Sequence, residues 1–308
     1  MKTILINISP FNNRADMKPI LFVIKKTLAF WFCYIAGLFI AEGMVILLHF
    51  ALGKNMIVGD VFDNQTITLI IYYGYIIVIS AVLLYWKLIE KKALSKMGLT
   101  KHVESYFIGV LTAILMLLLS ISMITLTGNI KYQGIYVKSN ILMIVLFGGG
   151  FIVQGTMEEL LCRGFLFFSL KDKVSLPVVI AISTVMFIIP HCPTLFAGEM
   201  IYSVIGIINL ILISIIFSLF TLHYQSIWAA CGLHSFWNFI LYSILGLNLS
   251  GNNENITAIF NMQSVGGNIW NGGIYGIEAS IITSIILGIF DILLWICWKR
   301  AKNNNESD

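Results

Sequence analysis

Residues 155–167 read GTMEELLCRGFLF and place Glu158, Glu159 and Arg163 between runs of Leu, Phe and Val. A charged side chain at the centre of a bilayer costs at least about 2.5–3.5 kcal/mol on insertion scales, so an ionisable residue there is a functional candidate. Glu159 and Arg163 are four residues apart and share one face of a helix. One carboxylate can therefore neutralise the guanidinium and leave Glu158 free.

The composition around this stretch is that of an integral membrane protein. The chain has 308 residues, of which 58% are hydrophobic and 11% charged, and its mean hydropathy is +0.91. Soluble domains carry roughly 25% charged residues. The net charge of +4 is small, is explained by lysines in loops, and gives no reason to expect a nucleic-acid partner. The five cysteines form no CxxC pair and are interpreted as small buried apolar residues.

A spanning helix needs about 20 apolar residues. The apolar runs predict an all-α polytopic membrane protein with about eight transmembrane helices. Their expected bounds are 27–52, 66–89, 105–127, 141–169, 175–192, 201–223, 226–247 and 277–298.

The distribution of Lys and Arg predicts the orientation of these helices. Basic residues concentrate in the N-terminal segment, in the links between helices 2 and 3 and between helices 4 and 5, and in the C-terminal tail. Segment 128–140 is a mild exception, and loop 248–276 contains no Lys or Arg. Positively charged loops stay in the cytoplasm, so we expect both termini there. The chain is interpreted as one membrane domain, 1–308, with 248–276 as a polar outer loop, and it fits a bacterial plasma membrane.

Two further helices carry polar residues at helical spacing. His234 and Asn238 are four residues apart and project from one face. His191 follows Phe187 by one turn, and Pro190 and a second proline at position 193 disturb the helix around it. Irregular backbone at membrane depth is tolerated where protein or a cavity covers it.

If these polar faces converge, they can hydrolyse a bond. A carboxylate can act as general base on a water while a histidine orients it, and a histidine with an asparagine can stabilise an oxyanion. Glu and His could instead hold a metal ion that activates the water. We find no obvious Ser, Thr or Cys nucleophile. Four other ionisable residues lie in apolar segments and match no motif: Glu42, His49, Glu278 and Asp291. Glu278 and Asp291 are expected near membrane interfaces.

Three motifs in this order resemble a known family. Glu158-Glu159-xxx-Arg163, Phe187-xxx-His191 and His234-xxx-Asn238 are similar to those of the CPBP family of intramembrane endopeptidases, which includes the type II CAAX prenyl proteases and the bacterial Abi proteins. The resemblance covers residues 141–245, which we interpret as the catalytic core, with the site between helices 4, 5 and 7.

The resemblance implies a role for each motif residue. Glu158 would activate the attacking water with help from His191, His234 and Asn238 would stabilise the oxyanion, and Glu159 and Arg163 would support the site. Metal dependence stays open: Glu158, His191 and His234 could supply three ligands to zinc, or a glutamate-dependent mechanism could work without metal. We expect the site between mid-membrane and the cytoplasmic side.

The implied activity is hydrolysis of a peptide bond in a membrane-associated or prenylated, CAAX-type protein or peptide within the lipid bilayer. Two other functions stay open. A non-catalytic scaffold or bacteriocin-immunity protein could use the same fold, although intact motifs argue against it. A proton-coupled transporter could use buried Glu and His, but we find no repeated halves of the kind such transporters often have.

Overall fold

The computed structural model describes residues 8–136, 139–251 and 257–307, and its main elements are eight helices. Three of them, α2, α4 and α7, continue through π-helical segments, and α5 continues through a 3-10 turn into one more short helix. The helices are α1 Pro19–Ala51, α2 Asn64–Tyr85 with Trp86–Glu90, α3 Ser105–Leu126, α4 Ile141–Glu159 with Leu160–Phe167 and Phe168–Leu170, α5 Leu176–Ile188 with Ile189–His191 and Cys192–Leu195, α6 Met200–Tyr224, α7 Trp228–Phe239 with Ile240–Ile244, and α8 Ile281–Ser307.

The predicted fold class is confirmed: the protein is an all-α, multi-pass integral membrane protein. Seven of the described helices are long and apolar enough to cross a membrane. The predicted span 226–247 corresponds to α7, which is shorter and is not among those seven. Its buried residues run almost continuously from Ala229 to Asn238, so α7 is enclosed by other helices rather than by lipid.

Glycines allow α7 to lie unusually close to two neighbours. A Cβ atom on Gly232 would stand 2.1 Å from the carbonyl oxygen of Tyr106 in α3. A Cβ on Gly155 in α4 would stand 2.7 Å from the hydroxyl of Ser235. Small residues let membrane helices approach in this way. Gly155 precedes Glu158 by one turn, so this close approach brings the charged end of α4 against the His234 face of α7.

A two-stranded antiparallel sheet joins the loops after α3 and after α7. Strand β1, Ile130–Ile135, pairs with β2, Phe260–Ser264, with Ile130 opposite Ser264. This pairing places both loops at the same end of the helices. The second strand lies in the segment predicted as a polar loop, 248–276, of which residues 252–256 lie outside the described residues.

Candidate active site

A cavity of about 250 Å³ lies among α2, α4, α5, α6, α7 and the start of α8. Its polar lining includes Gln154, His191, Asn209, His234, Asn238 and Glu278. Ser250, in the loop after α7, also lines it, so the cavity extends from the middle of the helices toward the 248–276 loop. The expectation that the site lies between mid-membrane and the cytoplasmic side depends on the orientation of the helices and stays a prediction.

Glu159 and Arg163 form the predicted ion pair. Both side chains are 0% exposed, and Arg163 Nη1 donates to Glu159 Oε1 at 3.1 Å. Arg163 Nη2 also donates to the backbone oxygen and the hydroxyl of Ser214 in α6. Its guanidinium carbon lies 4.8 Å and 4.9 Å from the ring centroids of Phe187 and Phe217. The charge is thus neutralised by a carboxylate and held between two aromatic rings, which is how it is accommodated inside the protein.

The same carboxylate oxygen of Glu159 also holds His234. His234 Nδ1 lies 3.1 Å from Glu159 Oε1, and the ring of Phe217 stacks on the imidazole at 5.2 Å. A carboxylate accepts hydrogen bonds, so Nδ1 carries the proton. The other nitrogen, Nε2, then faces Glu158, with 4.0 Å to Glu158 Oε2. The motif spacing did not predict this second contact of Glu159.

Glu158 differs from its neighbour in exposure. Its side chain is 20% exposed, whereas Glu159 is fully enclosed. The distance of 4.0 Å from Glu158 Oε2 to His234 Nε2 is too long for a hydrogen bond. A single water molecule hydrogen-bonded to both atoms is compatible with this separation.

Gln154 connects Glu158 to Asn238. Its Nε2 donates to Glu158 Oε1 at 2.5 Å, and its Oε1 accepts from Asn238 Nδ2 at 3.0 Å. The carboxylate fixes the orientation of the amide, because only Nε2 can donate to it. Sequence reasoning missed Gln154, although its position four residues before Glu158 was a usable signal.

His191 sits where α5 changes from an α-helix to a 3-10 turn, Ile189–His191. Pro190 lies within that turn, in agreement with the predicted irregularity. The ring nitrogen Nδ1 of His191 pairs with the carbonyl oxygen of Phe187 at 2.9 Å, so Nε2 is the nitrogen that remains for the cavity. The Phe187 ring centroid lies 5.0 Å from His191 and 5.9 Å from His234, so one ring contacts both imidazoles.

Glu278 is the second residue that sequence reasoning missed. It was expected near a membrane interface, but it lies in the cavity wall just before α8. Its carboxylate accepts from Trp237 Nε1 at 3.2 Å and from the backbone nitrogen and hydroxyl of Ser250 at 2.6 Å and 3.0 Å. Asn209 of α6 donates to the backbone oxygen of Glu278 at 2.9 Å and fixes this segment. Burial raises the pKa of the Glu278 carboxyl, and the hydrogen bonds from Ser250 oppose that shift.

The remaining ionisable residues lie elsewhere. Glu42 is exposed on α1. His49 bonds the backbone of Val45 and accepts from the amide of Phe62, as a structural histidine does. Asp291 is partly buried on α8, and neither carboxylate oxygen has a hydrogen-bond partner among the described residues.

A zinc site would need three or more donor side chains close together. In residues 8–136, 139–251 and 257–307, no group of three or more His, Cys, Asp or Glu side chains is arranged to hold a metal ion. Glu158 and His234 approach each other at 4.0 Å, but no third such donor completes a group with them in the part of the chain that the structure describes. The donor set therefore does not fit the three-ligand zinc site considered above.

Comparison with known proteins was made at the level of families, curated proteins and solved structures. Residues 138–240 match the family described as Type II CAAX prenyl endopeptidase Rce1-like. The resemblance indicated by the three motifs is confirmed over this segment, about a third of the chain. The Rce1-like segment contains all six predicted site residues, and Gln154, but ends before Glu278. The match supports a membrane peptidase in general terms. The comparisons with curated proteins and with solved structures gave no significant match.

Proposed function

We propose that this protein is an intramembrane endopeptidase that hydrolyses a peptide bond of a membrane-associated protein or peptide with a water activated by Glu158. The observation that carries the proposal is the arrangement of His234 between two carboxylates. Glu159 holds Nδ1 at 3.1 Å, and Nε2 faces Glu158 Oε2 at 4.0 Å beside the cavity. The Rce1-like match over residues 138–240 supports the same class of reaction.

Glu158 is the proposed general base. It is partly exposed, it is bonded to the neutral amide of Gln154, and the nearby Arg163 is occupied by Glu159. A general base needs the attacking water within hydrogen-bond reach, and the 4.0 Å gap to His234 can hold one. His191, whose Nε2 is available to the cavity, would help to orient that water, as the family resemblance implies.

His234 and Asn238 are the proposed oxyanion donors. Because Nδ1 of His234 donates to Glu159, Nε2 can donate to the oxyanion only when both ring nitrogens carry protons, and the proposed role requires that form. Asn238 uses Nδ2 to donate to Gln154, and an amide nitrogen carries a second hydrogen. These two donors would face the oxygen of the tetrahedral intermediate.

The reaction balances with these residues alone. Glu158 takes one proton from water as the hydroxide oxygen bonds to the carbonyl carbon. The C–N bond then breaks, and protonated Glu158 gives its proton to the leaving amine. This step gives a carboxylic acid and an amine and returns Glu158 to its starting carboxylate form. The acid then loses its proton to the amine, so the final products are a carboxylate and an ammonium group. No step uses a metal ion, because the donor set described above does not fit one.

The proposed setting follows from the charge distribution. We place both termini in the cytoplasm of a bacterial plasma membrane, with loops 128–140 and 248–276 on the outer side. A prenylated, CAAX-type substrate and a non-prenylated membrane peptide are both compatible with this reaction.

The function is tested by comparing membrane proteomes from cells that carry wild-type protein or Glu158→Gln. We expect at least one membrane polypeptide to accumulate uncut only with the variant, while both proteins insert in equal amounts. Identical proteomes in the two strains would reject the peptidase and favour a non-catalytic scaffold or immunity protein on the same fold.

A further inference from the structure

The carboxylate of Glu278 lies in the cavity with hydrogen-bond donors but no cationic partner. Its two oxygens accept from the indole of Trp237 and from the backbone and hydroxyl of Ser250. All three donors are neutral. These hydrogen bonds leave the negative charge of the ionised carboxylate without a counter-charge, so a cation that enters the cavity can pair with Glu278.

The cavity supplies no such group from Lys or Arg. Among the described residues that line it, none is a Lys or an Arg. Arg163 is fully enclosed and used by Glu159 and Ser214. By sequence, the whole 248–276 loop lacks basic residues. The lining groups that can carry positive charge are His191 and His234. His234 is held by Glu159, and His191, which influences the charge of Glu278, forms no direct ion pair with it.

Aromatic side chains line the cavity that contains this carboxylate. Trp237, which donates to Glu278, lines it together with Tyr72, Tyr75, Phe187 and Phe217. Aromatic rings attract ammonium and guanidinium groups, and Trp does so best. A cavity that combines one carboxylate with aromatic walls is therefore suited to a cation that also carries an apolar stem, such as a Lys or Arg side chain.

We propose that Glu278 is a substrate-binding residue that selects a peptide carrying a Lys or Arg side chain at the loop end of the cavity. This inference rests on the proposed peptidase function and narrows its substrate. It also disfavours a substrate that places its free terminal carboxylate in this cavity, because that group would meet Glu278 and find no Lys or Arg.

The test measures binding in a background that cannot turn substrate over. The probes are apolar peptides of equal length, acetylated and amidated, with a single Lys, Gln or Glu scanned along the sequence. Each is titrated into full-length Glu158→Gln protein in nanodiscs, and Kd is followed by the fluorescence of the protein's tryptophans. The same titrations are made with Glu278→Gln added, and with Glu104→Gln added as a control that removes an exposed charge outside the cavity.

We expect the best Lys peptide to bind about tenfold or more tightly than its Gln counterpart, a difference of about 1.4 kcal/mol. Glu278→Gln should bring that ratio close to one and leave the affinity of the Gln peptide nearly unchanged, whereas Glu104→Gln should leave the ratio intact. A Lys-to-Gln ratio near one in the starting protein would overturn the inference. So would a ratio that survives Glu278→Gln, or a loss that is equal for all three peptides, which would indicate that Glu278 only positions Trp237 and Ser250.

Cleavage of the same peptides by protein with Glu158 intact separates the two proposals. Lys-selective binding that depends on Glu278, together with no cleavage of any bound peptide, would uphold the inference and count against the peptidase. Cleavage with equal rates for Lys and Gln peptides at subsaturating concentration would uphold the peptidase and reject the role of Glu278.

Discussion

Glu159 Oε1 accepts hydrogen bonds from both Arg163 Nη1 and His234 Nδ1, each at 3.1 Å. One buried carboxylate thus neutralises the cation on its own helix and sets the tautomer of a histidine on another. Because Nδ1 of His234 is engaged, Nε2 is directed toward Glu158. The adjacent glutamates therefore occupy different environments: Glu159 is enclosed and holds Arg163 and His234, whereas Glu158 is partly exposed, as the proposed base must be.

Replacing Glu159 should affect stability and activity through different partners. Glu159→Gln leaves a buried guanidinium without its counter-ion, which typically costs about 3–5 kcal/mol. We expect a lower melting temperature in detergent and almost complete loss of cleavage. In Glu159→Gln/Arg163→Met the unpaired charge is removed, and much of the stability should return. Cleavage should remain low, since His234 still lacks its carboxylate. A double variant that regains both stability and cleavage would show that holding His234 is unimportant.

Gln154 should matter for activity more than for stability. Gln154→Leu keeps the approximate size of the side chain but breaks the bridge from Asn238 to Glu158. Misplacement of a reacting group by about 1 Å can cost about 100-fold in rate, and we expect a loss of that order in kcat with little change in KM. Single-turnover cleavage and a melting curve measured on the same preparation check this. A variant with normal kcat would exclude Gln154 from orienting Glu158.

The close approach of α7 to α3 and α4 should tolerate no added side chain. Gly155→Val and Gly232→Val place atoms against Ser235 and against the carbonyl of Tyr106. We expect both variants to yield little folded protein. Gly43→Val is the matched control, because a Cβ at that position of α1 would meet nothing within 4 Å. Size-exclusion profiles in detergent distinguish the three. Normal behaviour of Gly232→Val would contradict the described packing.

The sequence was sufficient to predict the relations that lie along one helix and the positions of the eight helices. Spacing of i, i+4 predicted the Glu159–Arg163 pair, and apolar runs predicted where each helix lies. The predicted bounds were less accurate at the polar ends, because α1 begins at Pro19 rather than at 27 and α8 continues to Ser307 rather than to 298. The same rule would have found Gln154, had it been applied backwards from Glu158. The sequence did not predict that α7 is short, because apolar residues on both sides extend the apolar run beyond the ends of the helix.

Contacts between distant segments could not be predicted in this way. The contact between Glu159 and His234 depends on how closely α4 and α7 approach. Gly155 allows that approach, but the spacing of residues along one helix does not predict it. Glu278 lies in a short 3-10 segment between a polar loop and α8, where the hydropathy pattern indicates a membrane interface. Only the folding of that segment against Trp237, Asn209 and Ser250 brings it to the cavity.

Metal removal gives a further prediction. The described residues provide no group of three donors for a metal ion, so we expect cleavage to persist after prolonged treatment with phenanthroline or EDTA followed by desalting. Elemental analysis of the treated protein is the control that metal has been removed. Activity that disappears with the metal and returns on addition of zinc would contradict the metal-free sequence of steps proposed above.

The central claim is that Glu158, and not Glu159, is the base. It is tested most directly by single-turnover cleavage of one identified substrate by wild-type protein and by Glu158→Gln, with melting curves recorded on the same samples. General bases contribute typically about 10²–10⁴-fold. We therefore predict a loss in that range or greater for Glu158→Gln at an unchanged melting temperature. Cleavage within a few-fold of the wild-type rate by a folded Glu158→Gln protein would contradict the account.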